Sequence, residues 1–189
     1  MTVLLAEGEP KTADSILNFE RLHSLPVHIC ADGSVLETQS FDAAVDALYG
    51  TGFHGALRPS GLAACGLIRL LHKSGAFVLA VDLPSGINTD TGEVAEGAAH
   101  ADLTVTFDSY KPLHMAESSA PLCGKIVCAD IGIRMNGTRS FDEACRCGKA
   151  PARKRPRQLS RHAGVLFVIL LQNVCTFLAE RRKCGNRLI

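Results

Sequence analysis

Apolar residues along the chain fall into two rhythms. Short, mostly apolar runs at residues 3–5, 27–30, 45–49, 78–81, 101–107 and 126–129 have the length and composition of strands, several of them buried on both faces of a parallel sheet. Between them the apolar spacing changes to three and four. Residues 12–23 carry Ile16, Leu17, Phe19 and Leu22 behind Thr12 or Asp14 as a cap, which predicts an amphipathic helix ended by Pro26. Residues 60–74 carry Leu62, Leu67, Ile68, Leu70 and Leu71, mostly inward, and place His72 in a last helical turn, favourably against the helix dipole. Residues 34–44 read as a variable connection with a short helix. Strands that alternate with helical segments, with every loop leaving at one edge, predict an α/β fold built on a doubly wound, mainly parallel sheet with helices on both faces.

Composition sharpens this picture only in places. The 47% apolar content with 21% charge excludes a disordered chain over most of the length. Charge is divided unevenly: residues 1–138 hold 8 Lys and Arg against 16 Asp and Glu, whereas residues 139–189 hold 12 against 3. A boundary is therefore expected near residues 136–140, with a first domain over 1–138 and a basic, partly apolar tail over 139–189. Residues 149–161 are a basic run with two prolines. Residues 164–179 are apolar but broken by Gln172 and Asn173, short for a membrane span of about twenty residues, so a buried strand plus helix, or an interfacial segment, is favoured over a span. Of the eight cysteines, Cys30, Cys65 and Cys128 sit in apolar or strand-like settings, where Cys is usually a small buried hydrophobe, and the Cys145–Cys147 pair has no second pair at ligand spacing, so zinc is not expected. The first residues show neither the basic leader nor the cleavage site of a secretory signal, so a cytoplasmic setting is expected.

Residues 78–92, VLAVDLPSGINTDTG, hold the densest candidate chemistry. Asp82 falls at the carboxyl end of a strand, and Pro84, Ser85 and Gly86 force a turn. Ligands of open α/β sheets bind outside that edge, so a carboxylate and a hydroxyl there are well placed to act. The competing reading is that Asp82 caps the turn and Ser85 opens a helix. A second candidate is the loop Gly50, Thr51, Gly52, Phe53, His54, Gly55 and Ala56, whose three glycines allow amides to converge on an anion; a plain tight turn is its alternative. Lys111 comes out at the same edge after the strand 101–107.

Four stretches in order, VDALYGTGFHGALR (45–58), VLAVDLPSGINTDTG (78–92), ADLTVTFDSYKP (101–112) and GKIVCADIGI (124–133), resemble the amino-terminal YjeF-type domain of NAD(P)H-hydrate epimerases. The resemblance covers residues 3–135. It implies a Rossmann-like isomerase that interconverts the two epimers of hydrated NADH and NADPH, binds potassium and dimerises. Asp46 and Ser85 match potassium ligands, and Gly50–Ala56 matches the loop that holds the substrate's phosphates. Asp82 matches the contact to the hydrated nicotinamide and is the expected catalytic residue, and Lys111 is assigned an electrostatic role. No specific nucleic acid and no transmembrane span are expected.

The chain also departs from that pattern. The strand and Asn-, Gly- and Asp-rich phosphate loop that precede residues 3–5 in the family have no counterpart, so the sheet is expected to lack a strand and to expose an apolar face and an edge. Residues 157–169 have a faint likeness to the opening of a kinase-like dehydratase domain, which makes the tail a truncated or out-of-frame remnant of a bifunctional repair enzyme. The alternatives are a non-catalytic scaffold module, an inactive fragment, or a tail that holds RNA or anionic lipid through its charge.

Overall fold

The computed structural model describes residues 1–131 and the backbone of residues 165–169. Strands form where the apolar runs stand: β1 (Thr2–Leu5), β2 (His28–Cys30), β3 (Ala43–Ala47), β4 (Phe77–Val81), β5 (Leu103–Phe107), β6 (Lys125–Ala129) and β7 (Val165–Ile169). They make one sheet in the order β2-β1-β7-β3-β4-β5-β6, with every pairing parallel. All carboxyl ends therefore open at one edge.

Two helices cover opposite faces. Successive side chains of a strand point to opposite sides, and β1 shows the consequence directly. Val3 and Leu5 pack with Phe19 and Leu22 of α1 (Ala13–Leu22), whereas Leu4 joins the larger core under α2 (Pro59–Lys73) with Ala44, Val78 and Ala80. Thr12 caps α1: its hydroxyl accepts from the Ser15 amide, and the Ser15 hydroxyl accepts in turn from the Thr12 amide. Pro59 opens α2, where a missing N–H costs nothing.

The helix faces differ from expectation. In α2 the inward stripe is Gly61, Ala64, Cys65, Leu67, Ile68 and Leu71, while Leu62 and Leu70 are 43% and 40% exposed. Leu62 follows buried Gly61 and Leu70 precedes buried Leu71, each about 100° round the helix from its neighbour, and small residues take inward places because the helix lies close to the sheet. A Cβ on Gly61 would collide with the Tyr49 ring, which fixes that approach. Ile16 and Leu17 of α1 likewise face outward. His72 reaches across to Asp102 at 3.2 Å as well as closing its helix.

β7 corrects the expectation of a missing strand. It runs between β1 and β3, with Val3 level with Phe167 and Val45 level with the same residue on the other side. Residues 165–169 thus belong to the sheet of residues 1–131, although the charge boundary at 138 separates them in sequence. They form the strand expected within the apolar run. The basic segment 149–161, Cys145, Cys147, the dehydratase-like likeness outside β7 and the rest of the tail lie outside the described residues.

Without β7 the pairs β1–β2 and β3–β6 share no ladder. Deleting residues 164–189 is therefore expected to abolish single-step unfolding in a urea titration followed by far-ultraviolet circular dichroism, with a smaller denaturant slope for the part that stays folded. An unchanged midpoint and slope would show β7 to be dispensable.

Candidate functional site

The carboxyl edge around β3, β4 and β5 collects the chemistry-bearing residues. Asp46, 1% exposed, is the fourth residue of β3 and points at the turn after β4. Its Oδ1 accepts from the Ser85 hydroxyl at 2.6 Å and from the Leu48 amide at 3.3 Å, and its Oδ2 accepts from the Ser85 amide at 2.7 Å. The Ser85 hydroxyl in turn accepts from the Tyr49 amide at 2.9 Å. Ser85 sits in a turn and not in a helix, so the helix-opening reading fails. Gly86 follows at φ 94° with its Cα against Ala98, where a Cβ would lie 2.9 Å from backbone; only glycine fits the turn there.

Burial pushes the Asp46 carboxyl above its ordinary value, while the bonds from Ser85 and Leu48 pull it back. No ion pair reaches Asp46 among the described residues. A buried carboxylate and a hydroxyl are hard oxygens of the kind that suit an alkali or alkaline-earth cation. Among the described residues no cluster of three or more His, Cys, Asp or Glu is placed to hold a metal ion.

Asp82 stands just past β4 in the left-handed region, φ 71°, uncommon for a residue with a Cβ. Its amide donates to Val105 at 2.8 Å. Its Oδ1 accepts from the Thr106 hydroxyl at 2.9 Å, from the Phe107 amide at 3.1 Å and from Lys111 Nζ at 2.5 Å. Among the described residues nothing donates to Oδ2, which leaves one oxygen fixed and the other available. Lys111 Nζ also donates to Thr106 Oγ1 and the Phe107 carbonyl, both at 2.8 Å, so ammonium and carboxylate are held by the same strand end. The Asp82 side chain serves that ion pair and does not cap its own turn.

The glycine loop borders a recess of about 330 Å³ lined by Tyr49, Gly50, Gly52, Phe53, His54, Ala56 and Arg58. Thr51 and Gly55 belong to the loop but not to this lining: the Thr51 carbonyl accepts from the Thr89 hydroxyl at 3.4 Å, and Gly55 turns the chain at φ 75°. Phe53 packs on Tyr49 and joins the core, so its ring holds the loop down. His54 contacts Asn88 through its ring nitrogen at 3.1 Å.

Several participants carry no sequence motif. Glu7, just beyond β1, accepts from Tyr49 at 2.5 Å and Ser60 at 2.9 Å and pairs with Arg58 at 2.7 Å. Burial, with the Glu7 bond, pushes the Tyr49 phenol up to about 12, so it stays a donor. Thr106 and His114 complete the Asp82 environment. Alternation along β5 marks Thr106 as one of its inward residues, and His114 three places after Lys111 was the available signal for the other.

The model of the family described as YjeF-related protein N-terminus matches residues 1–113. The chain belongs to that family. Asp46, the loop Gly50–Ala56, Asp82, Ser85 and Lys111 all fall within the YjeF-related match, and His114 lies one residue beyond it. A protein of Methanothermobacter thermautotrophicus named bifunctional NAD(P)H-hydrate repair enzyme Nnr is 41% identical over 108 residues, 57% of this chain and 20% of its own length. Proteins of the same name from Archaeoglobus fulgidus and Mycobacterium leprae are 36% and 39% identical, over 87% and 64% of this chain and 32% and 25% of theirs. The chain thus spans between about a fifth and a third of the length of these relatives. The crystal structure of yeast YNL200c aligns with a TM-score of 0.44 and 20% identity, over 79% of this chain and 57% of that one.

Replacing Ser85 with Ala strands the Tyr49 amide and removes the hydroxyl donor to Asp46. The expected loss of unfolding free energy is about 1–3 kcal/mol by urea titration. Asp46→Asn should behave differently. A raised carboxyl binds a proton in the folded state that the unfolded chain has released, so stability falls as pH rises from 3.8, the ordinary Asp value, through the higher folded value. Melting curves across that window should show the slope in the parent and its loss in Asp46→Asn.

Proposed function

We propose that the chain acts as the epimerase unit of NAD(P)H-hydrate repair, an isomerase that interconverts the R and S epimers of hydrated NADH and NADPH. The observation that supports this most is the Asp82–Lys111 pair, with one carboxylate oxygen pinned and one available, at the same carboxyl edge of the sheet as the Gly50–Ala56 loop in a chain of this family. The names of the relatives add the substrate class.

The hydrated ring carries its hydroxyl on a carbon bonded to the ring nitrogen. Loss of that hydroxyl as water leaves a cation delocalised over carbon and nitrogen, and water returning to the other face gives the other epimer with release of the proton. Asp82 Oδ2 is the group suited to hold that proton and to face the cation, a general acid–base and charge-stabilising role. Lys111 balances the carboxylate and holds Oδ1 in place. The loop Gly50–Ala56 binds the dinucleotide's phosphates through its amides, with Arg58 at its border. Potassium would be held by Asp46 and Ser85, offsetting the buried charge and ordering the turn that carries Asp82. A homodimer and a cytoplasmic setting accompany this reading. Among the described residues no helix is long and apolar enough to cross a membrane.

The test is loss of the slow epimer, followed by chromatography with the spontaneous exchange subtracted. Asp82→Asn should lower kcat by about a hundredfold or more, the scale of general acid–base catalysis. A wild-type rate in that variant would sink the proposal. Exchange of potassium for lithium should lower the parent's rate and leave Asp46→Asn indifferent.

A further inference from the structure

His114 is 3% exposed, and its backbone amide donates to the Lys111 carbonyl at 3.0 Å. Its ring bridges the two halves of the ion pair from behind. Nδ1 lies 3.0 Å from the Lys111 backbone nitrogen, and Nε2 lies 3.1 Å from the Asp82 carbonyl oxygen. A backbone N–H can only donate and a carbonyl can only accept. One neutral tautomer alone satisfies both partners: bare Nδ1 facing Lys111 and Nε2–H facing Asp82.

Those two contacts fall on the backbone of the two residues whose side chains meet at 2.5 Å. One of them, Asp82, occupies a left-handed conformation that its surroundings must hold. Its carbonyl takes the imidazole bond while its amide is tied to β5, so both peptide groups flanking the strained residue are fixed. Across the ring, Lys111 lies beyond the end of β5, at the N-cap of the 3₁₀ turn Pro112–His114, with no strand ladder to align it; the ring and the reciprocal amide bond hold its backbone. Leu113, the preceding residue, is fully buried and its amide donates to the Thr89 carbonyl, which holds the chain at His114.

We propose that His114 is a positioning residue that works as a neutral, single-tautomer clamp, setting the Asp82 carboxylate and the Lys111 ammonium at their working separation. The proposal rests on the acid–base role given to Asp82 above. Protonation would point an Nδ1–H at the Lys111 amide and break the clamp. Burial opposes that protonation and pulls the ring below its ordinary value, and the nearby Lys111 charge acts the same way against the raising effects of Asp82. The titratable groups that face the ring among the described residues are Asp82 from the end of β4 and Lys111 and Tyr110 from the loop after β5, the last edge-on with ring centroids 6.0 Å apart.

Two measurements test the clamp on the full chain. In the first, nitrogen-15 NMR of the imidazoles should find His114 neutral and protonated on Nε2 at pH 7; a charged ring or the Nδ1–H tautomer would overturn the proposal without reference to activity. In the second, epimerase kinetics are scaled to folded protein. His114→Leu keeps the packing volume and removes both bonds, and should lower kcat by about tenfold or more with KM nearly unchanged. His114→Gln can still donate to the Asp82 carbonyl and should recover most of that loss. A purely structural histidine would lower the melting temperature in His114→Leu and leave kcat per folded molecule alone, which overturns the clamp. Should His114→Leu fail to fold, the Gln variant and the tautomer decide. If Asp82→Asn keeps full activity the acid–base reading fails by itself, and the clamp then stands or falls on the tautomer.

Discussion

The whole architecture depends on an unbroken parallel ladder through the middle of the sheet. A buried strand must have its amides and carbonyls paired on both sides, because an unpaired group in that position costs about as much as a lost hydrogen bond. β1 and β3 face each other across a gap one strand wide, and β7 fills it in register with both. The core under α2 runs continuously across that seam, from Leu4 on one side to Ala44, Val78 and Ala80 on the other. Glu7 crosses the same seam at the carboxyl edge to reach Tyr49, Ser60 and Arg58. The walls of the recess are thus aligned only while the ladder is complete.

Within that frame the site divides into two separately built parts. Asp46 and Ser85 satisfy one another in a buried knot that fixes the turn after β4 from below. Asp82 and Lys111 form an ion pair, each side chain 17% exposed, whose geometry comes from the end of β5 and from the loop beyond it. The two parts share the residues between Asp82 and Gly86, so the strained backbone at Asp82 and the glycine-only contact at Gly86 transmit position from one to the other. This division explains why a chain can keep hard-oxygen donors in a dry place and an available carboxylate oxygen a few residues away.

Much of this was legible in the sequence, for physical reasons that also mark where reading stopped. Periods of two and of three to four residues report local backbone geometry, so six of the seven strands and both long helices follow from the pattern of Val, Leu, Ile and Ala. Asp46, Asp82, Ser85 and Lys111 announce themselves because each lies near the carboxyl end of a strand or in the turn that follows one. The helix faces of Leu62 and Leu70 depart from the apolar spacing because small residues can face a close sheet as well as large ones. The apolar run at 165–169 reads as a strand, but a run of Val, Leu and Ile says nothing about which neighbours it will find. Glu7 and His114 carry no sequence motif for the same reason. Their partners stand 42 and 32 residues away in sequence, and only the fold brings them together.

The position of β7 also sets an order of events during synthesis. β1, β2 and β3 are made more than a hundred residues before β7, and in this sheet the strand between β1 and β3 is supplied only by residues 165–169. Every pairing of β7 spans more than a hundred residues of chain, from Asp46 to Val168 and from Thr2 to Leu166. Contacts so distant in sequence form slowly, because the closure of a long loop must precede the gain from pairing. Until residues 165–169 pair, the nascent chain therefore carries an open cleft between β1 and β3, and that interval is when a chaperone, or another nascent copy, has access to it.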